Sequence, residues 1–315
     1  MTGRRAAAAS LALALAAAGC GSSNGGSAGA VAEPQPRGAM TIAVPSGPHR
    51  LDPLLATGAV DRLVDRQLFE PLAERLSGPY DDVRRLPGLA LSARPAERGL
   101  LWRIRLRSNV RFQDGSPLDS SAVVANADRW RTTPTGRALL PGLYAADAPR
   151  PDLVRLFLTH PLADLPRRLA SPRLGIVSPR ELVPHSGFTS TLVRPTEAGT
   201  GPFELRRGAG SGVVLARNTR WWGTGHGLGP ALDQVQLRIV PGADERVRLL
   251  RRGDVEAAWS LPAAAADALG GNPLLTGLPA PADLSVGLER SVRGIEAAIP
   301  PPLLSEVWLT SIGSG

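Results

Sequence analysis

The chain contains no lysine, so all 36 of its Lys+Arg positions are arginine. A phosphate-binding loop of the Gly-x-x-x-x-Gly-Lys type is therefore excluded. Cysteine is nearly absent: Cys20 stands alone, no intramolecular disulfide can form, and stability has to come from a core. Aromatic residues are 4% of the chain, and the arginines are scattered among acids without an aromatic-basic stripe. The net charge of +8 thus reads as a solvated surface near anionic lipid, with no nucleic-acid partner. His49, His160, His185 and His226 fall in separate loops without paired ligand spacing, which gives no metal centre. There is no Gly-x-Ser-x-Gly elbow, and the acidic neighbours Asp61/Asp65 and Asp81/Asp82 read as solvated helix or loop charges. No cofactor motif appears, and nothing supplies the constellation an enzyme needs.

Long apolar runs are missing beyond the N-terminus. There Arg4 and Arg5 precede the apolar residues 6–18, a run too short to span a bilayer, and small residues lead to Cys20. Residues 1–19 are expected to be a cleaved leader. Ala17-Ala18-Gly19-Cys20 resembles the bacterial lipobox, with alanine at the first position where leucine is commoner. The resemblance implies that Cys20 becomes an acylated N-terminus. Each buried acyl methylene is worth about 0.8 kcal/mol, so two or more chains anchor stably where one does not. Residues 20–40, rich in Gly, Ser and Asn at their start, are expected to form a flexible tether at the outer face of the cell membrane.

The remainder carries 43% hydrophobic residues over the whole chain, enough for a sizeable core. Met40 to Val44 is a short β-branched apolar run that predicts a buried strand. Leu63, Val64, Leu68 and Leu72 predict a helix within residues 60–76, ended or kinked by Pro71. Residues 102–107 alternate apolar and basic as a half-buried strand does, and Val110 to Phe112 reads as a second short strand. Asp119 offers an N-cap to a helix carrying Ala122, Val123, Ala127 and Trp130. Residues 153–158 read as a strand, 162–170 as a helix and 174–177 as a strand fragment. Residues 203–205 and 213–216 read as a strand pair, 235–239 as a strand, and 244–252 as a helix with Gly253 as its left-handed cap. A strand over 255–259 and an Ala-rich helix over 262–269 follow. Mixed strands and helices predict an α/β (mixed α+β) architecture.

Several short motifs then fall into a recognisable order: Leu51-Asp52-Pro53, Leu68-Phe69-Glu70-Pro71-Leu72, Pro87-Gly88-Leu89-Ala90, Trp102 to Arg107, and Val110 to Leu118 around Asp114-Gly115. Gly199-Thr200-Gly201-Pro202-Phe203, Arg217-Asn218 with Trp221-Trp222, and Leu250 to Ala258 complete it. In this order, over residues 41 to 260, the chain resembles the family 5 extracellular solute-binding proteins that serve peptide, nickel and related ABC importers. The resemblance implies a periplasmic-binding-protein-like, class II type, multi-lobed fold. Residues 41–55 and 195–269 would form a discontinuous lobe I, and residues 56–194 an inserted lobe II. Residues 270–315 would be a remnant of lobe III or a disordered tail, since the chain stops where the family's third lobe begins.

What the resemblance implies for function is a lipid-anchored, non-enzymatic receptor that closes an interlobe cleft on a peptide-like or other small polar solute and presents it to an ABC permease. Candidate ligand-binding residues are Ser46 and Gly47 after the first strand, Trp259 and Ser260 at the end of the strand following Gly253-Asp254, and Tyr144 in a loop. Each has a plainer reading beside it: a surface turn for Ser46-Gly47, and a core side chain for Trp259. Two rival readings of the whole are a degenerate relative acting as an interaction or regulatory lipoprotein at the envelope, and a fragment of a longer gene.

Overall fold

A computed structural model describes residues 38–73, 88–184, 190–192, 194–207, 212–224, 230, 232–261, 275–279 and 284–288. The leader, Cys20, the tether, the 262–269 helix and Asp81/Asp82 lie outside the described residues. The strands in chain order are β1 (Ala39–Val44), β2 (Ala90–Ala96), β3 (Leu101–Leu106), β4 (Leu143–Arg150), β5 (Leu153–Leu158), β6 (Leu182–Pro184), β7 (Ser190–Leu192), β8 (Phe203–Arg207), β9 (Val213–Arg217), β10 (Gln234–Ile239), β11 (Ala257–Leu261), β12 (Leu275–Pro279) and β13 (Leu284–Leu288). The helices are α1 (Ala59–Leu68), α2 (Ser120–Thr132), α3 (Pro134–Leu139), α4 (Leu165–Arg168) and α5 (Ala243–Arg252).

Seven strands form one mixed sheet in the order β12-β13-β11-β1-β10-β9-β8. β1 lies between β10 and β11 and is parallel to both. Its side chains divide by the two-residue period of a strand. Met40, Ile42 and Val44 join α1 residues Val60, Leu63, Val64 and Leu68 in one core, while Ala43 joins Val247 and Leu250 of α5 in another. A sheet covered on both faces needs a near-continuous apolar strand at its centre, which is what residues 40–44 supply. β12 and β13 come from the stretch expected to stand in for a third lobe. They pair with each other and, through β13, with β11 at one end of this sheet.

The second sheet is antiparallel, in the order β2-β3-β5-β4. Trp102, Ile104 and Leu106 of β3 and Val154, Leu156 and Leu158 of β5 face a core shared with Val123, Ala127 and Trp130 of α2. Asp119 caps α2 as expected, its carboxylate accepting from the Ala122 N–H at 3.0 Å. Gly253 closes α5 at φ 74°.

Several sequence expectations need correction. α1 stops at Leu68 because Pro71 disfavours helix ahead of it and Phe69 is already extended. Residues 110–112 make only a bridge, Arg111 to Pro117, around Gly115 at φ 82°. The 162–170 helix shrinks to α4. Residues 174–177 join no ladder: the Ile176 N–H donates to the Glu70 carbonyl at 3.0 Å and the Val177 N–H to Asn126 Oδ1 at 3.1 Å.

Several of the sequence motifs meet in one joint. Glu70, 5% exposed, accepts from Thr200 Oγ1 at 2.8 Å, Trp221 Nε1 at 3.2 Å and Trp222 Nε1 at 3.1 Å. The Arg107 guanidinium lies 4.0 Å from the centre of the Trp222 ring. The Gly201 N–H donates to the Leu68 carbonyl at 2.8 Å, satisfying a carbonyl that the end of α1 leaves open. A Cβ at Gly199 would stand 1.8 Å from that same oxygen, so only glycine allows the approach. Asp114 holds the other side: it accepts from the Ser116 N–H at 2.7 Å and the Ser178 hydroxyl at 2.5 Å, while the Gln113 N–H reaches the Gly199 carbonyl at 2.8 Å. Burial pushes the Asp114 carboxyl up, but the hydrogen bonds from Ser116 and Ser178 outweigh it and hold it below its ordinary range.

Candidate ligand-binding site

Parallel strands β10, β1 and β11 end along one edge of the large sheet, the place where ligands bind in open α/β sheets. The register pairing Ala43 with Ala258 and Val44 with Ile239 carries Pro45-Ser46-Gly47 and Ser260 to this edge. Ser46 and Gly47 are half-buried, and a Cβ on Gly47 would lie 3.1 Å from Ile239 Cδ1. The loop is tied down from α1: Asp61 accepts from the backbone N–H groups of His49 at 2.5 Å and Arg50 at 3.2 Å.

Ser260 sits at φ 59°, where the pairing of β11 with β13 slips between Ala258 and Leu261. The extra residue is a bulge, and its effect shows in the packing. Ala257 and Trp259 face the α1 core as alternation requires, whereas Leu261 joins Ala258 on the α5 side. Arg246, 3% exposed, holds the kink by donating to the carbonyls of Ser260 at 2.7 Å, Val240 at 2.7 Å and Pro241 at 2.8 Å. One guanidinium thus fixes the ends of two strands. Its fork geometry is suited to this, and a lysine would not span the three acceptors as well.

Trp259 is 8% exposed and packs in the core with Met40 and Ile42, so most of its ring contacts protein, the plainer of its two readings. Its indole N–H is buried without a hydrogen-bond partner among the described residues. Tyr144 is corrected: it lies in strand β4 and not in a loop, because Gly142 at φ 80° turns the chain directly into the β4–β5 pairing. It stands 55% exposed on the second sheet and does not join the other candidates at the end of β1.

Sequence reasoning missed two contributors. Arg246 reads as one more charge on an arginine-rich helix, although Leu249 and Leu250, three and four residues on, place it on the apolar side of α5. Asp61 and Asp65 were expected in solvent, yet both are 3% exposed on the face of α1 that meets the loop. Asp61 is satisfied by that loop. Neither carboxyl oxygen of Asp65 has a hydrogen-bond partner among the described residues.

Burial, with the nearby charges of Asp52 and Asp61 added to it, pushes the Asp65 carboxyl up to about 9. An unfolded chain releases this proton near pH 4, whereas the folded one keeps it to about 9. The unfolded state therefore binds fewer protons between these limits, and stability falls as pH rises across them. We expect the urea midpoint to drop from about pH 5 to about pH 8.5, and Asp65→Asn to flatten that drop. Equal slopes for the two proteins would show that Asp65 ionises in the native state as it does in water.

Residues 85–288 match the profile described as bacterial extracellular solute-binding proteins, family 5 middle. The probable D,D-dipeptide-binding periplasmic protein DdpA of Escherichia coli K12 is 26% identical over 231 residues, covering 72% of this chain and 44% of that protein. The glutathione-binding protein GsiB of the same strain is also 26% identical over 231 residues, covering 71% and 42%. The chain thus spans less than half the length of these curated relatives. Among solved structures, NikA from Brucella suis in complex with Fe(III)-EDTA superposes with a TM-score of 0.64 at 21% identity, covering 76% of this chain and 48% of that one. The oligopeptide-binding protein AppA from Bacillus subtilis, in complex with a nonapeptide, gives 0.63 at 18% identity, covering 78% and 48%. These likenesses establish the fold, that of the periplasmic binding proteins.

Proposed function

Because the chain belongs to the family 5 bacterial extracellular solute-binding proteins, we propose that it is a lipid-anchored receptor for a peptide-like or other small polar solute, delivering it to an ABC permease at the outer face of the membrane. The observation that carries this reading is the shared edge of β10, β1 and β11, where the half-buried loop of Ser46 and Gly47 and the kink at Ser260 follow the ends of neighbouring strands. Exposed backbone groups of such a loop can pair with an extended ligand in strand fashion. Trp259 packs in the core next to this edge, its indole N–H a donor without a partner among the described residues and so available to a ligand in this reading.

In this reading residues 41–55 and 195–269 form the discontinuous lobe I, with residues 56–194 inserted as lobe II. Cys20 carries the anchor and residues 20–40 the tether. Binding is to be read by thermal melting against di- to pentapeptides, glutathione, oligosaccharides and nickel chelates. A saturating ligand at about a hundred times its Kd adds about 2.7 kcal/mol to the native state, a rise of several degrees. Gly47→Val, whose Cβ would press on Ile239 at 3.1 Å and whose methyl groups would cover the loop's backbone, is expected to weaken or abolish the rise while leaving a cooperative melt. A cooperative melt that no compound moves would turn the assignment to an envelope interaction protein.

A further inference from the structure

Among the described residues, no helix or strand covers the outer face of the four-stranded sheet, where Arg94, Arg103 and Arg105 stand exposed. Cross-strand pairing sets Arg94 of β2 opposite Arg103 of β3, Arg103 opposite Arg155 of β5, and Arg155 opposite Asp147 of β4. Arg105 follows Arg103 on the same face, one step along the strand. Like charges directly opposite one another destabilise a sheet. Asp147 pairs with Arg155, but Arg94, Arg103 and Arg105 are exposed and make no ion pair among the described residues. Residues 90–106 and 143–158 together carry six arginines against three acids, so the excess belongs to the whole sheet.

A second observation points the same way. The large apolar side chains left exposed among the described residues are Leu91, Leu100 and Tyr144, and all three belong to this sheet or to its β2–β3 turn. Tyr144 lies 6.2 Å from the ring of Phe157, and the Arg155 guanidinium 5.5 Å from that same ring. An aromatic row therefore runs beside the basic row. Arginines with apolar stems, a tyrosine with a polar tip and scattered leucines make up the side-chain set that settles at the boundary between lipid headgroups and acyl chains.

We propose that this face docks on the anionic surface of the membrane outside which the protein works. The inference uses the anchor of the preceding reading only for proximity: a flexible tether of about 20 residues has an r.m.s. span of about 25 Å, which keeps the face near the headgroups. Docking would orient the molecule, so that the sheet edge at Ser46 and Ser260 takes a fixed relation to the bilayer.

The test is flotation of the full chain with vesicles of phosphatidylcholine alone or with phosphatidylglycerol added. The N-terminal segment, Arg4 and Arg5 included, is identical in every form tested, so the change in the ratio of the two partition coefficients between wild type and variant isolates the charged face. The wild type is expected to favour the anionic vesicles, less so at raised salt. The triple variant R94Q/R103Q/R105Q is expected to lose about a hundred-fold of that preference, at about five-fold per arginine, with binding to neutral vesicles unchanged. R94K/R103K/R105K keeps the charge and must keep the preference. A wild type indifferent to phosphatidylglycerol overturns the inference, as does a glutamine variant that retains the full ratio. If the wild type ignores anionic vesicles but binds polyglutamate through the same arginines, the face belongs to an acidic protein and the membrane assignment fails. Loss of binding to neutral vesicles by every form would count against the N-terminal anchor, and the arginine face is then judged by the partition coefficient on anionic vesicles alone, which the glutamine variant must lower and the lysine variant must keep.

Discussion

Glu70→Leu is expected to destabilise the protein by about 3–5 kcal/mol, read as a lowered urea midpoint with an unchanged slope. The leucine fills the space but accepts nothing. The Trp221 and Trp222 indole N–H groups and the Thr200 hydroxyl all donate to Glu70. A buried donor left without an acceptor costs about 1–3 kcal/mol. The hydroxyl can turn to another acceptor, whereas the indoles are fixed by their rings. Arg107, stacked on Trp222, also loses the carboxylate whose charge offsets its burial. Glu70→Gln keeps one oxygen and should cost about half as much. Because the joint links α1, the Thr200 segment and the tryptophan pair, a loss below about 1 kcal/mol for Glu70→Leu would mean that these segments are held by packing alone.

Arg129→Met should be nearly as damaging. Arg129 and Asp52 are each buried and meet at 2.6 Å. Removing the cation strands a carboxylate in the core beside Asp65, at a cost of about 3–5 kcal/mol. The double variant Asp52→Leu with Arg129→Met is expected to recover much of that loss, since an apolar pair of similar volume replaces an ion pair whose desolvation had offset its attraction. Part will not return, because Asp52 also accepts from the Leu54 N–H at 3.1 Å. A double variant no more stable than Arg129→Met would show that the site requires polarity rather than charge balance.

What could be read from the sequence divides along physical lines. Strands β1, β3, β5 and β10 announce themselves by alternation or by β-branched runs. Asp119 and Gly253 mark helix ends because capping is a local affair of one side chain and its nearest N–H, or one backbone angle. The ordered motifs identify the family although they lie apart in the chain. Their purpose was not legible, because Glu70 meets partners 130 and more residues away, and spacing along the chain carries no sign of that. Asp61 and Asp65 were misplaced in solvent for the same reason: a carboxylate on a helix looks solvated until the loop that covers it is known. Tyr144 lies in a strand although its neighbours Ala145, Ala146 and Pro149 are weak strand formers, because pairing with β5 overrides local preference. Of the candidate site, the chain positions at the ends of β1 and β11 were legible, while Arg246, which fixes the ends of β10 and β11, was not.

The position of β1 also sets a timetable for folding. Ala39 pairs with Gln234 and Ile42 with Ala257, so the first of the described strands lacks both neighbours until residues 234–258 have been made. The second sheet, by contrast, draws its strands from residues 90–158 and can assemble on its own contacts. Closing so long a loop costs little more free energy than closing a shorter one, because the entropy grows only as the logarithm of length, but it delays the event. In the interval an apolar segment with two open hydrogen-bonding edges is exposed to any other strand it meets. Late closure thus leaves residues 39–44 unpaired while the second sheet is already able to form, a period in which this early strand needs shielding.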